Sequence, residues 1–184
     1  MLVSCTIDLP QEVKSQIEKE SSAVFTSHPE YLWYDESEYA LTLYSWPTVE
    51  PDLVDKLSDK LSELLFEQER FALFGFKYVV KIASRIDVQL EFQEDRRYRV
   101  LIDSITNFFS PDVKASHVPS VPLARYKIPS KQQYSHLKNQ LAKIKSEVEL
   151  TVDGVSLTKV TDFGNGIRKY EHLRKIQFAH DELA

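Results

Sequence analysis

The groups able to relay protons or bind metals are few in this 184-residue chain: five histidines and one cysteine. His28, His117, His136, His172 and His180 are scattered, and no His/Cys/Asp/Glu grouping has metal-ligand spacing. There is no glycine-rich phosphate loop and no placeable Ser–His–Asp set, so neither metal nor organic cofactor is expected. Cys5 falls in "LVSCTI", which reads as a buried strand, where a thiol is inert. What remains is hydroxyl, aromatic and cationic chemistry. The stretch "EYALTLYSW" (residues 38–46) alternates like a half-buried strand and so places Ala40, Thr42 and Tyr44 on one face. In "SVPLARYKI" (120–128), the same alternation puts Ser120, Pro122 and Ala124 on one face, with Arg125 and Lys127 on the other. Lys77, Lys81 and Arg85 add cations from a third β-rich region. Such groups hold phosphate by charge-assisted hydrogen bonds and bases by stacking.

The elements that position these residues follow from hydrophobic period. "LPQEVKSQIEKESSAVF" carries Val13, Ile17 and Val24 at near-helical spacing, with Pro10 suited to a first turn. "YLWY" and "YALTLYSW" are extended segments around the acidic turn "DESE". Pro51 opens a helix whose stripe is Leu53, Leu57, Leu61, Leu64 and Leu65. Two β-rich runs follow, "FALFGFKYVVKIA" and "RIDVQLEF". A second helix runs from about Asp95 to Phe109, and Ser130 with Gln133 forms a capping box for a third, striped by Tyr134, Leu137, Leu141 and Ile144. "VELTV" and "VSLTKV" flank "DG", a hairpin signal, and "FGNGIRKY" turns into a last strand, "HLRKIQF". Strands and helices recur in two similar halves, which predicts an α+β chain.

Composition is that of a globular protein, with 42% hydrophobic and 28% charged residues. No apolar run approaches the ~20 residues of a membrane span, and "MLVSCTIDLP" lacks a basic n-region and a cleavage site. A cytoplasmic protein without a membrane partner is the expectation. The net charge of −5 argues against broad nucleic-acid binding, yet residues 1–60 hold twelve acidic and four basic side chains. The remainder is therefore +3, suited to an anionic ligand, while the acidic first part would suit a basic protein partner.

Read in order, the segments resemble the 2H phosphoesterase superfamily, in its 2′–5′ RNA ligase-like branch. "IDLPQEV" resembles that branch's opening strand, turn and helix; "LWYDESEYALTLYSW" its first motif region; "SVPLARYKI" the second; and "VDGVSLTKVTDFGNGIRKYEHLRKIQF" the closing block with a Gly-x-x-x-Tyr segment. The strings are individually weak and collinear over nearly the whole chain. The resemblance implies one bilobal α+β domain over residues 1–184, with two pseudo-symmetric lobes of antiparallel sheet and helices outside a central groove. It also implies two facing His-x-Thr strands, whose histidines act as general base and acid on a 2′,3′-cyclic or 2′–5′ phosphodiester.

The sequence departs from that pattern where the chemistry sits. Ala40 stands at the first histidine, with Thr42 kept; Ser120 stands at the second, with Pro122 at its Thr/Ser. Neither alanine nor serine exchanges a proton near neutral pH, and positioned acid–base groups contribute ~10²–10⁴-fold each. The resemblance with these losses implies an inactive binding module for a nucleotide, cyclic (oligo)nucleotide or RNA end. Its candidate ligand-binding residues are Ala40, Thr42, Tyr44, Ser120, Pro122, Arg125 and Lys77, with Tyr170 added from the closing block. Two alternatives stand beside it: a protein-interaction module in which Tyr39, Tyr44 and Trp46 only pack, and an active phosphodiesterase that uses His117 in a shifted register, "HVPS". The other four histidines are expected at surface or partly buried positions.

Overall fold

A computed structural model describes residues 1–82, 86–126, 130–163 and 168–178. Among these residues, nine strands and four α-helices run in the order β1 (Leu2–Ile7), α1 (Gln11–Ser27), β2 (Leu32–Trp33), β3 (Leu41–Trp46), α2 (Val54–Leu64), β4 (Phe71–Ile82), β5 (Ile86–Phe92), α3 (Arg96–Phe109), β6 (Ser120–Tyr126), α4 (Lys131–Leu141), β7 (Glu149–Val152), β8 (Gly154–Asp162) and β9 (Arg168–Gln177). They form two antiparallel sheets, β3-β1-β8-β9 and β2-β6-β5-β4-β7, in an α+β fold. Short 3₁₀ turns at Glu36–Glu38 and Pro51–Leu53 precede β3 and α2.

Two of the helices, α1 and α3, cross between sheets. α1 follows β1 of the first sheet but lies with α4 against the second, where Tyr78 of β4 donates to Glu20 of α1 at 2.6 Å. α3 follows β5 of the second sheet but packs on β3 of the first, and α2 lies on β9. The stripes do what their spacing dictates: Val13, Ile17, Ser21 and Val24 are the buried face of α1, and Tyr98, Leu101, Ile102 and Ile105 that of α3. Buried residues from both sheets and all four helices join in one apolar cluster. Cys5 lies fully buried within it, and burial pushes its thiol far up, so it is no nucleophile.

Helix ends are capped largely as read. Ser130 and Gln133 form the capping box of α4, although Ile144 lies beyond that helix. Asp95 caps α3 by accepting from the N–H groups of Arg97 and Tyr98 at 2.7 and 3.2 Å. Burial pushes its carboxyl up, but the Arg97 guanidinium and those two N–H groups outweigh it and hold the group below the usual carboxylate range. A depressed folded-state value means stability that is present above the ordinary carboxylate pKa and lost as pH falls through the folded one. Asp95→Ala is expected to cost about 1 kcal/mol at pH 7, with the difference from wild type closing in denaturant titrations at acid pH.

The "DG" hairpin is not formed. β7 pairs with β4 in the second sheet, whereas β8 pairs with β1 and β9 in the first, so Asp153 is where the chain changes sheets. Gly154 has no left-handed φ; a Cβ there would stand 2.4 Å from the carbonyl oxygen of Ile176 on β9. Close approach of two backbones demands this glycine, not turn geometry. "YLWY" and "YALTLYSW" likewise part company, β2 joining β6 and β3 joining β1.

Candidate functional site

Each of the two motif-bearing strands carries a bulge at its leucine, and the pair of bulges decides which side chains face outward. On β3, Thr42 lies opposite Thr6 and Tyr44 opposite Cys5, leaving Leu43 as the extra residue. Thr42 therefore stays on the polar face while Tyr44 turns to the core side, against Trp46 and Phe109 with ring centroids 4.9 and 5.8 Å away. The expectation that Ala40, Thr42 and Tyr44 share one face is thus corrected. Trp46 meets Phe109 edge-on at 4.9 Å and packs rather than lining a groove, whereas Tyr39, although buried, borders the cavity of Ala40 described below.

On β6, Pro122 lies opposite Gln89 and Ala124 opposite Val88, so Leu123 is the extra residue. Ala124 is fully buried, and Arg125, opposite Asp87, returns to the side of Pro122 and Ser120. This reverses the simple alternation, because a bulge adds one residue without adding a pleat. Arg125 is a cation of the open face, its guanidinium carbon 5.9 Å from the Tyr34 ring centroid. Lys127 and Arg85 lie outside the described residues. Pro122, unable to donate to a ladder, sits beside the bulge, where a central strand tolerates it.

Thr42 and Ser120 line one cavity of about 330 Å³, together with Tyr44, Ser45, Lys114 and residues of α3. β3 is an edge strand, so side chains from both of its faces reach this space. Tyr44 donates to or accepts from Ser110 at its wall. Ala40 and Tyr170 line a second cavity of about 260 Å³ over the polar face of the first sheet. Lys77 borders a third, of about 230 Å³, beside Phe76 and Glu91. Lys77 and Lys81 do not form a free cationic rim: their ammonium groups lie 3.5 and 2.6 Å from the buried Glu91 carboxylate. The eight candidates are thus split between adjoining depressions and the Arg125 face. Lys114 is a lining residue that sequence reasoning misses, and nothing in its local pattern distinguishes it from a solvated loop lysine.

No family model matches the sequence, and no curated protein matches it either. Solved structures do. LigT of E. coli complexed with 3′-AMP matches with a TM-score of 0.73 at 19% identity, over 96% of each chain. TT0787 of Thermus thermophilus gives 0.70 at 16% identity, over 98% of this chain and 100% of that one. A further phosphoesterase gives 0.69 at 19%, over 96% of this chain and 98% of its own. The fold is that of LigT.

Within this LigT fold, the described histidines sort by what they touch. His28 is buried, with Glu30 at 3.0 Å on Nδ1 and Gln140 at 2.7 Å on Nε2, so both ring nitrogens are engaged and the second joins the end of α1 to α4. His136 on α4 stands beside it, ring centroids 5.1 Å apart. His117 pairs with Asp103 of α3 at 2.7 Å; its neighbours Ser116 and Val118 line the Thr42–Ser120 cavity, but its own side chain does not. His180 lies outside the described residues. His172 is exposed, as expected, and it also borders the cavity of Ala40 and Tyr170, with Nε2 3.1 Å from Oδ2 of Asp8. It pairs opposite Thr158 of β8, and β9 begins at Arg168, earlier than "HLRKIQF". Among the described residues no group of three His, Cys, Asp or Glu side chains is arranged to hold a metal ion, and no helix is long and apolar enough to cross a membrane.

Proposed function

We propose that the protein is a cytoplasmic, catalytically inactive 2H-phosphoesterase-like module that binds a nucleotide or an RNA end. The observation that carries this reading is the cavity shared by β3 and β6: Thr42 and Ser120 both reach it, and its described lining contains no imidazole. Hydroxyls and a lysine hold phosphate oxygens without exchanging a proton, so binding survives where acid–base catalysis does not. Arg125, brought outward by the Leu123 bulge, adds a planar donor for a phosphate. LigT is known in complexes with phosphate, 3′-AMP, NADP+ and ATP, which supports the same class of ligand here.

Calorimetric titration with 3′-AMP and with 2′,3′-cyclic nucleotides tests it. Saturable binding is expected, with Arg125→Ala weakening it by roughly tenfold or more, the worth of one hydrogen bond to a charged group. Incubation with the cyclic nucleotides is expected to leave them intact. Turnover by the wild-type chain that His117→Ala abolishes would overturn the reading.

A further inference from the structure

The cavity beside Ala40 is lined by an imidazole, that of His172, and a carboxylate holds the ring. Oδ2 of Asp8 receives the Ser156 hydroxyl at 2.7 Å and lies 3.1 Å from His172 Nε2. Ser156 is fully buried in β8, so the carboxylate is anchored to the sheet and in turn fixes the ring. Nδ1 of His172 has no partner among the described residues and is the nitrogen left for a ligand. Lys14 of α1 lines the same space and makes no ion pair among the described residues; Asp35 feels its charge only from a distance. The floor is the buried hydroxyl pair of Thr6 and Thr158, 3.0 Å apart. The Lys14 ammonium, the His172 ring and two hydroxyls around about 260 Å³, with the Asp8 carboxylate of the same lining engaged by Ser156 and by the ring, make a receptor for a compact anion.

We propose that Asp8, His172, Lys14 and Thr158 form a clamp for a terminal phosphate monoester. This deepens the nucleotide-binding reading and rests on it for the source of that phosphate. Ala40 is the smallest side chain of this lining. The ring on β9 has a different task from a general base. With Asp8 accepting the Nε2 proton, the protonated ring donates its Nδ1 proton to a phosphate oxygen, and no bond to phosphorus is made or broken. The titratable groups facing His172 are Asp8 from the end of β1, Lys14 from α1, Tyr39 from the turn before β3, and Tyr170 on its own strand.

The test is NMR of protein labelled in its histidine rings, titrated at one fixed pH with inorganic phosphate and separately with 3′-AMP. Both ligands are expected to shift the His172 ring resonances, those of His136 staying put. His172→Gln and Lys14→Gln are each expected to weaken binding of both ligands roughly tenfold or more, the worth of one hydrogen bond to a charged group. Wild-type affinity retained in His172→Gln would overturn the clamp. If 3′-AMP binds without disturbing His172, the clamp fails and the nucleotide reading stands. If inorganic phosphate shifts His172 but no nucleotide binds, the clamp stands and the nucleotide reading fails. Binding of neither ligand sinks both.

Discussion

Histidine placed at positions 40 and 120, with threonine at 122, is expected to turn the protein into a working phosphodiesterase on 2′,3′-cyclic nucleotides. The expected turnover is about 10²-fold or more above the wild-type chain, since each positioned acid–base group contributes ~10²–10⁴. The surroundings favour the change. Ser120 lies directly opposite Glu91, and Asp8 follows Ile7, which lies opposite Leu41. A new ring at either position would thus find a carboxylate on the neighbouring strand to fix its tautomer and orientation. Pro122→Thr supplies both a hydroxyl and the N–H that proline lacks. Ala40→His or Ser120→His alone is expected to gain little, because a base without an acid leaves the departing oxygen unprotonated, and groups that act as a unit are strongly non-additive. A continuous assay on the four single and combined variants decides the matter. A triple variant that folds, binds 3′-AMP and shows no turnover would mean that positions 40 and 120 do not address the same phosphorus.

How much of this was legible from the residues depends on whether the signal was local. Helix stripes and caps are local, and α3 appears within a residue of its expected bounds because Asp95 and the Tyr98–Ile105 stripe are contiguous in sequence. The alternation of "YALTLYSW" and "SVPLARY" likewise announces strands. It does not announce bulges, since an extra residue is defined only by the partner strand: Leu43 and Leu123 look like ordinary inward leucines until Cys5–Thr6 and Val88–Gln89 are laid beside them. That one non-local fact moved Tyr44 inward and Arg125 outward. The Asp8–His172 pair spans 164 positions of sequence, and only the order β1-β8-β9 brings it together. The two halves also resemble each other more closely in structure than in letters. Each motif strand bulges at the same point, and each is flanked by a strand carrying a carboxylate, Asp8 or Glu91, held by a basic side chain from another strand.

The same distinction between local and non-local causes yields a stability prediction at Gly154. A "DG" pair read locally is a type I′ turn, and an alanine there would strain a positive φ. The structure assigns another cause, because Gly154 opens β8 with β9 crossing so near that an added Cβ meets Ile176 O at 2.4 Å and Gln177 Cα at 3.0 Å. Both are backbone atoms in a ladder that runs from Gly154–Gln177 to Asp162–Arg168, so neither yields without breaking pairing. Gly154→Ala is expected to cost about 3 kcal/mol, the upper part of the usual overpacking range, and to lower the melting midpoint by roughly 6–12 °C for a chain of this size. Gly75→Ala is the control. Its Cβ would meet Ser146 Oγ at 2.2 Å, a side-chain atom that can rotate away at the loss of its contact with the Val148 N–H. A cost of about 1 kcal/mol is expected there. Thermal melts of the two variants separate the explanations: equal losses would mean that β9 shifts as readily as a serine rotamer. Since Asp153 also accepts the N–H of Phe178 at 2.9 Å, loosening this crossing would free the end of β9. His172 rides on that strand, so the phosphate affinity of Gly154→Ala is expected to fall with its stability, whereas that of Gly75→Ala stays at the wild-type value.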